Sequence, residues 1–445
     1  MGKKRNAKKA TNRNAGPVKL LPQIRGQLTA IVDDVFKRCT KVPPAVAPSA
    51  AQEWAEYLEI YELIEKIQDL EKGMCGTRHV RYPAPDVYSD RSSGTLYVLA
   101  EGEKNNGPLI ERDPILQHMG NVALALHVLG EFVNPQSSWQ PYLRILPSTY
   151  STTLYFTPQQ LQSLKGSPVL EEAVKQFRNI ARQYSYFYRI LQSSPEAKSW
   201  PIRDYFTFKA YRWAVSTVMT RQNRVPVKES SGQMALIPAW DMTNHEQGIY
   251  STDYDNEENC SVCLAQRDFK AGEQFSIHYS QRPNTELFLH NGFVYRDNKN
   301  DSLAIKLGVS KDDPLHDEKV ALLSSLGLPS AGSFMLIPGQ HPVSPGLLAF
   351  IRVFSSLDKW KDDGEKAKGL LHEDCDVGTT VQDKTWSFLN IRVALLIRSY
   401  PTTLEEDEAA LPTLSGVDSL IRSQVICEKI ILRDAALYLT SHISK

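Results

Sequence analysis

The chain has 445 residues, and its 51 basic and 51 acidic side chains give a formal net charge of zero. A neutral chain lacks the basic field that nucleic-acid binding requires, so we expect no nucleic-acid partner. The contents of hydrophobic residues (42%) and charged residues (23%) are typical of a globular protein, and the length suffices for several folded domains.

The cysteines indicate a reducing compartment, because six thiols scattered at positions 39, 75, 260, 263, 375 and 427 do not form a disulfide framework. We therefore expect a cytoplasmic protein. Residues 1–17 are basic and are followed by no hydrophobic segment, which excludes a secretory signal and predicts a disordered tail. The alternative for this tail is nuclear import. No apolar run is long enough to span a membrane, so we expect no membrane partner.

Helical spacing of apolar residues predicts two N-terminal helices, over 18–40 and 51–72. The pattern dissolves over 74–106, where we predict only one strand, at 95–100. Further helices are predicted over 115–133, 171–193 and 208–223.

Short strands then replace helices: they are predicted over 234–238, 260–265, 274–279 and 288–294. The helices predicted after them cover 314–326, 343–354, 384–400, 403–410 and 415–440. We therefore predict an α+β fold, with N-terminal helices (18–73), a further helical part (107–230), a strand-rich part (231–300) and an all-α C-terminal domain (310–445).

Two segments carry the candidate chemistry. The first, Asp241 to His245, follows an apolar strand, and the second ends a later strand at Tyr279. Taken alone, each is more often structural: an Asn-His pair is common, and an isolated tyrosine usually belongs to a core. Arg221 and Asn223 end a predicted helix, where they are either ligand contacts or a C-terminal cation and cap.

A metal site is not predicted. The thiols of Cys260 and Cys263 lack the second pair of ligands that a structural zinc site requires.

Four segments closely resemble one family: Phe208 to Pro226, Ala235 to Gln247, Phe269 to Tyr279 and Leu347 to Phe354. That family comprises the vertebrate actin-histidine methyltransferases, which belong to the SET-domain branch that also contains the plant Rubisco lysine methyltransferases. The resemblance extends over about 17–73 and 107–445. It implies a SET domain of short β-sheets with a helical insertion, followed by an all-α substrate-binding domain.

The resemblance implies a reaction as well: S-adenosylmethionine is the methyl donor, and a histidine of actin is the acceptor. The implied cofactor contacts are Arg221, Asp241, Met242, Thr243, Asn244, His245, Asn291, Gly292 and Phe293. The implied catalytic residues are Tyr279 and Asn223, and the implied substrate contacts are Asn223, Trp240 and Arg282.

The chemistry of the reaction fits these residue types. A sulfonium methyl group is stabilised by neutral oxygens, such as a tyrosine hydroxyl or backbone carbonyls, which add no competing anion. Imidazole has an unperturbed pKa of about 6.5 and is largely neutral at physiological pH, so no strong base is required. The amide of Asn223 can bond the second ring nitrogen of the target and fix its tautomer.

The chain departs from the family at one place. The SET domain of the family opens with a hairpin that contains a Gly-x-Gly element, and residues 74–106 contain none. We interpret this interval as an atypical, shortened segment of an altered isoform, which predicts impaired cofactor binding. Position 291 is Asn where relatives often have Ser.

Two alternatives to histidine methylation stay open at this point. One is a protein-lysine methyltransferase of the Rubisco type, and the other is a non-catalytic isoform that binds actin. We expect a monomer in each case.

Overall fold

A computed structural model describes residues 19–41, 48–73, 99–100, 113–226, 232–250, 252–255, 257, 260–355 and 367–443. The predicted basic tail and most of the segment 74–106 lie outside these residues. The chain divides into two compact units: the first comprises Met1–Tyr150 and Val174–Tyr279, and the second comprises Ser151–Ala173 and Ser280–Lys445.

Helices predominate among the described residues. In chain order they are α1 (Pro22–Cys39), α2 (Ala50–Gly73), α3 (Pro114–His118), α4 (Gly120–Val133), α5 (Gln140–Ile145), α6 (Pro158–Gln162), α7 (Val169–Ser193), α8 (Pro201–Tyr205), α9 (Phe208–Arg221), α10 (Asn284–Glu286), α11 (His316–Ser325), α12 (Pro345–Ser355), α13 (Thr379–Ser399), α14 (Leu404–Ala410) and α15 (Gly416–Ile443). In the described part of the chain, none of them combines the length and the apolar character that a membrane-spanning helix requires.

The strands are short. They are β1 (Leu99–Ala100), β2 (Asn223–Val225), β3 (Gln233–Leu236), β4 (Asn244–His245), β5 (Thr252–Asp255), β6 (Cys260–Cys263), β7 (Ser276–Ile277), β8 (Leu303–Gly308) and β9 (Ala331–Leu336). They form an antiparallel sheet of order β1-β3-β2, the parallel pair β4-β7 and the antiparallel pairs β5-β6 and β8-β9.

An aromatic cluster forms the core of the first unit around α7. Tyr184, Phe206 and Phe208 are fully buried, and the rings of Tyr184 and Phe206 stack at a centroid distance of 5.5 Å. The apolar side chains of α7 recur at helical spacing and therefore share one face, as the sequence predicts. Burial of each such ring contributes roughly 2 kcal/mol to folding.

Helix α9 is held at its first turn by two side chains. The backbone N–H of Phe208 donates to the carboxylate of Glu71 at 2.8 Å, and that of Ala210 donates to Thr207 Oγ1 at 3.0 Å. These bonds satisfy N–H groups that have no partner inside the helix. The start of α9 is therefore fixed, and its last residue, Arg221, projects from a defined position.

The second unit contains two buried polar groups that stabilise it. Arg352 of α12 is fully buried and donates to the carbonyl oxygens of Leu370 and His372, at 3.0 and 2.6 Å. Glu428 of α15 is also buried, and it accepts bonds from Ser167, Gln424 and Tyr400. Buried polar groups with several partners of this kind rigidify a core.

Several elements differ from the prediction. The predicted strand at 288–294 is wrong: α10 is followed there by a π-helix, Leu287–Asn291. Its three successive buried residues, 287–289, form a short apolar run, and periodicity does not distinguish such a run between strand and helix. The predicted helix at 115–133 breaks at Met119 into α3 and α4, and the strand predicted at 274–279 is limited to β7. The strands β2, β4, β5, β8 and β9 were not predicted.

Candidate active site

The pairing of β4 with β7 joins the two segments that the sequence singles out. Asn244 lies opposite Ser276 and His245 opposite Ile277, in parallel register. Tyr279, two residues beyond β7, donates its backbone N–H to Nδ1 of His245 at 3.2 Å. A shift of two residues in either strand would remove this contact, so the pairing itself places the tyrosine beside the Asn-His segment.

The hydroxyl group of Tyr279 is committed as a donor. It donates to the backbone carbonyl of Thr243 at 2.6 Å. Burial raises the pKa of this phenol, against the lowering effect of the Arg221 charge, so the group is neutral at physiological pH. A neutral phenol whose proton is already used presents oxygen lone pairs to its surroundings. This is the electronic arrangement that suits a polarised C–H group.

A buried carboxylate lies at the start of the same loop. The side chain of Asp241 has no exposed surface, and its Oδ2 accepts a hydrogen bond from the hydroxyl of Tyr142. The other oxygen, Oδ1, has no hydrogen-bond partner among the described residues. Burial raises the pKa of Asp241 to about 6, while the bond from Tyr142 and the charge of Arg221 lower it. The carboxylate is therefore ionised at neutral pH with one oxygen available for a ligand.

Arg221 faces this carboxylate. Its Nε lies 3.9 Å from Asp241 Oδ2, and its guanidinium carbon lies 5.8 Å from the centre of the Tyr150 ring. Its Nη1 donates to Thr220 Oγ1 at 3.1 Å, whereas its Nε is buried and makes no hydrogen bond within the described part of the chain. The guanidinium group thus lies beside a carboxylate and an aromatic ring. It retains unused hydrogen-bond donors, which suits an anionic ligand group.

The loop before Asn244 has an unusual backbone. Ala239 has φ +70° and ψ −45°, a region that a residue with a Cβ rarely adopts, and it precedes the 3₁₀ turn Trp240–Met242. The turn closes through a bond from Thr243 N–H to the carbonyl of Trp240 at 3.0 Å. Trp240 is half-buried, and the side chains of Met242 and Asn244 are exposed. These side chains are accessible to a ligand.

Asn223 begins β2, two residues after Arg221. Its Nδ2 donates to the carbonyl of Arg221 at 3.1 Å, which fixes the amide with its oxygen on the opposite side. The amide therefore offers an acceptor, the group that a neutral imidazole N–H requires.

The other predicted site residues, Arg282, Asn291, Gly292 and Phe293, belong to the second unit. The π-helix ends at Gly292, whose φ of +77° is left-handed, and a Cβ there would lie 2.7 Å from Ser151 Oγ. Glycine is therefore required at this position. Asn291 Oδ1 accepts from Arg282 Nη1 at 3.4 Å, so these two predicted residues are neighbours. A π-helical turn is frequent at functional sites.

Two residues of the site were not assigned a role from the sequence. Tyr142 lies in the segment Trp139–Tyr142, where a polar aromatic residue follows a proline, but its partner Asp241 is 99 positions away. Tyr150, which lies beside Arg221 and bonds Thr217 Oγ1 at 2.7 Å, carries no signal in the sequence. In the described part of the chain, no group of three or more His, Cys, Asp or Glu side chains is arranged to hold a metal ion.

Comparison with known proteins gives consistent results. Residues 310–432 match the family described as Rubisco LSMT substrate-binding. The actin-histidine N-methyltransferase of Danio rerio is 35% identical over 485 aligned positions, which cover 98% of this chain and 80% of the relative. The human protein of the same name is 35% identical, over 92% of this chain and 76% of its own length.

The structure of Rubisco LSMT bound to AdoMet superposes with a TM-score of 0.63 and 20% identity, over 78% of this chain and 80% of that chain. The SET domain of LSMT bound to lysine and AdoHcy gives the same TM-score. These likenesses confirm the α+β fold class predicted from the sequence.

Proposed function

We infer that this chain, which belongs to the actin-histidine N-methyltransferase family, is an S-adenosylmethionine-dependent enzyme that methylates a histidine of actin. The observation that carries this inference is the parallel pairing of β4 with β7. It brings the Asn244–His245 segment to β7, which lies two residues before Tyr279, and the hydroxyl of Tyr279 donates to the carbonyl of Thr243.

The residues of the first unit fit the cofactor. When bound, S-adenosylmethionine supplies an electrophilic methyl group on a sulfonium ion, and its amino-acid end carries one ammonium and one carboxylate group. Asp241 Oδ1 is a buried oxygen without a partner in the described chain, which fits an ammonium donor. Arg221 retains unused donors, which fits a carboxylate. The exposed amide of Asn244 can bond either group.

Tyr279 and Asn223 account for the handling of the acceptor. With its proton donated to Thr243, the hydroxyl oxygen of Tyr279 can accept weak C–H hydrogen bonds and orient a methyl group without attracting a full positive charge. Asn223 Oδ1 would accept a hydrogen bond from the N–H of a neutral imidazole, which leaves the lone pair of the other ring nitrogen free to bond the methyl carbon. The S–C bond would break as the N–C bond forms, and the donor would leave as a neutral thioether. The proton of the product imidazolium passes to water, so the chain needs no general base.

The amide oxygen of Asn223, a hydrogen-bond acceptor, favours histidine over lysine as the substrate. A lysine must first lose a proton and then present its nitrogen lone pair, and an amide oxygen would instead stabilise the ammonium form. The two alternative functions are therefore lysine methylation and actin binding without catalysis, and the experiment must distinguish histidine methylation from both.

The decisive experiment is mass spectrometry of actin incubated with the purified chain and S-adenosylmethionine. A mass increase of one methyl group on a single histidine is expected, and an actin peptide with that histidine replaced by lysine should stay unmodified. Methylation of the lysine peptide alone would overturn the histidine assignment. Actin capture without any methyl transfer would support the non-catalytic alternative.

A titration with S-adenosylmethionine tests the effect of the atypical segment 74–106. We propose that the chain binds the cofactor more weakly than relatives that have the Gly-x-Gly hairpin. Affinity equal to that of such a relative, measured in parallel by calorimetry, would contradict this proposal.

The location and assembly of the chain are also proposals. Cys39, Cys260, Cys263, Cys375 and Cys427 are free thiols, which is consistent with a reducing compartment. We propose a cytoplasmic monomer that is also present in the nucleus. Cell fractionation and analytical ultracentrifugation test the two parts separately.

A further inference from the structure

We propose that Tyr142 is a positioning residue of this site: its hydroxyl holds the carboxylate of Asp241 and, through it, orients Arg221 towards the amino-acid end of the cofactor. The inference rests on the proposed function, because it assigns a role within the same cofactor site. Tyr142 itself contacts neither the cofactor nor the acceptor in this proposal.

The two carboxylate oxygens of Asp241 differ in their hydrogen bonding. Its side chain has no exposed surface, so both oxygens have lost their water and need other partners. Tyr142 satisfies Oδ2, whereas Oδ1 has no partner in the described part of the chain. Tyr142 is therefore the side chain in the described residues that donates to this carboxylate, and its bond decides which oxygen remains available.

Arg221 lies beside this carboxylate. The Nε of Arg221 lies 3.9 Å from Oδ2, which is the same oxygen that Tyr142 holds. The arginine side chain is 16% exposed, and its guanidinium carbon lies 5.8 Å from the centre of the Tyr150 ring. If Asp241 rotates, the charge that directs Arg221 moves with it. Tyr142 thus influences the arginine through the carboxylate.

The charge of Asp241 depends on the groups around it. The groups that face it are the phenol of Tyr142 from α5, the guanidinium of Arg221 from α9 and the phenol of Tyr279 after β7. Burial raises the pKa of Asp241 to about 6, and the Tyr142 bond is among the effects that lower it. Removal of that hydroxyl therefore raises the pKa, so the carboxylate is protonated at a higher pH.

A substitution that keeps the ring separates this role from packing. Tyr142 is 6% exposed, and Tyr142→Phe leaves its buried ring in place while removing the donor. Tyr400→Phe is the matched control, because Tyr400 is 7% exposed and its hydroxyl donates to the buried Glu428 at 2.9 Å in the second unit. Each variant loses one bond from a buried phenol to a carboxylate, and only one of these bonds lies at the proposed site.

The experiment measures the dissociation constant of S-adenosylmethionine by calorimetry between pH 5.5 and 8 for both variants and the unchanged chain. Tyr142→Phe should weaken binding about tenfold at pH 7. In Tyr142→Phe, the pH below which the affinity for S-adenosylmethionine falls should be higher than in the unchanged chain. KM for the cofactor should rise more than kcat falls. Tyr400→Phe should lower thermal stability to a similar extent and leave affinity and its pH profile unchanged.

A second variant protects the test against a general folding defect. In Asp241→Asn the titrating group is absent, so adding Tyr142→Phe to it should change affinity little further. An unchanged pH profile in a folded Tyr142→Phe variant would refute the positioning role. Equal losses in Tyr142→Phe and Tyr400→Phe would refute it as well, because the effect would then be structural. If the unchanged chain binds no cofactor, the proposed function itself fails, and that result is distinct from either of these.

Discussion

Two buried carboxylates, Asp241 in the first unit and Glu428 in the second, have similar surroundings but differ in one respect. Each accepts a hydrogen bond from a buried tyrosine, and burial raises the pKa of both, to about 6 and about 7. Both oxygens of Glu428 have partners, since Oε1 accepts from Ser167 and Gln424 and Oε2 from Tyr400. Asp241 has a partner on one oxygen only, within the described residues.

This difference separates a structural group from a candidate ligand group. A buried oxygen without a partner costs about 1–3 kcal/mol. A water molecule or a ligand group offsets such a cost, and Glu71 also has one buried oxygen without a partner in the described residues. The position of Asp241 beside Arg221 is what makes it the candidate for a binding role. Neither burial nor a shifted pKa makes this distinction, because both groups have them.

The largest expected effect concerns the hydroxyl beside the Asp241 loop. Tyr279→Phe removes the oxygen that Thr243 orients, and we expect kcat to fall about 100-fold. Affinity for S-adenosylmethionine should change less than threefold, since the ring stays in place. Single-turnover kinetics and calorimetry measure the two quantities. Retention of full activity would remove Tyr279 from the proposed reaction.

Asp241→Asn tests the ligand side of the comparison directly. The amide is nearly isosteric but has no charge to direct Arg221, so we expect the dissociation constant of the cofactor to rise about 30-fold. The control is Asp113→Asn, which alters another aspartate that accepts from a tyrosine, Tyr186, at 2.7 Å. If both variants bind the cofactor normally, the open oxygen of Asp241 has no ligand role.

Asn223→Ala separates handling of the acceptor from cofactor binding. We expect kcat/KM for an actin peptide to fall about tenfold, because the imidazole loses one neutral hydrogen bond. Cofactor affinity should be unchanged, since the hydrogen bond that the amide donates goes to the backbone carbonyl of Arg221 and not to its guanidinium group. Asn134→Ala, which removes an amide from a turn after α4, serves as the control. An equal loss of cofactor affinity in Asn223→Ala would contradict this division of roles.

Glu428→Gln tests whether Glu428 is a structural group, and its expected effect is the smallest of the four substitutions. The folded-state pKa of Glu428, about 7, lies above its ordinary value, so the folded state binds the proton more tightly. Its stabilising contribution is therefore complete below about pH 4.5 and is lost as pH rises through about 7. The unchanged chain should lose on the order of 1 kcal/mol of unfolding free energy by this route, and Glu428→Gln should not.

Urea denaturation at pH 5.5 and pH 8 measures that difference. Cofactor affinity should be the same in both proteins. A loss of affinity in Glu428→Gln would show that the two carboxylates do not divide into ligand and structural groups as described.

The local part of the site could be predicted from the sequence. The Asp241–His245 loop follows a strand, and Tyr279 follows another by two residues. These positions were predictable because alternation and turn residues mark short strands to within a few positions. The long helices were also predictable, since their apolar residues repeat at helical spacing. The π-helix Leu287–Asn291 was not, because a buried apolar run of three residues has no distinctive period and its end depends on the close approach of Ser151 to Gly292.

The amino-acid sequence by itself determined the family, the fold class and the residue types available for methyl transfer, since these follow from short contiguous segments. Only the tertiary structure decided that Tyr142 bonds Asp241, that one carboxylate oxygen is left open, and that Tyr279 donates to Thr243. The physical reason is that hydrogen bonds between distant residues depend on how helices and strands pack, and no local pattern in the chain records that packing.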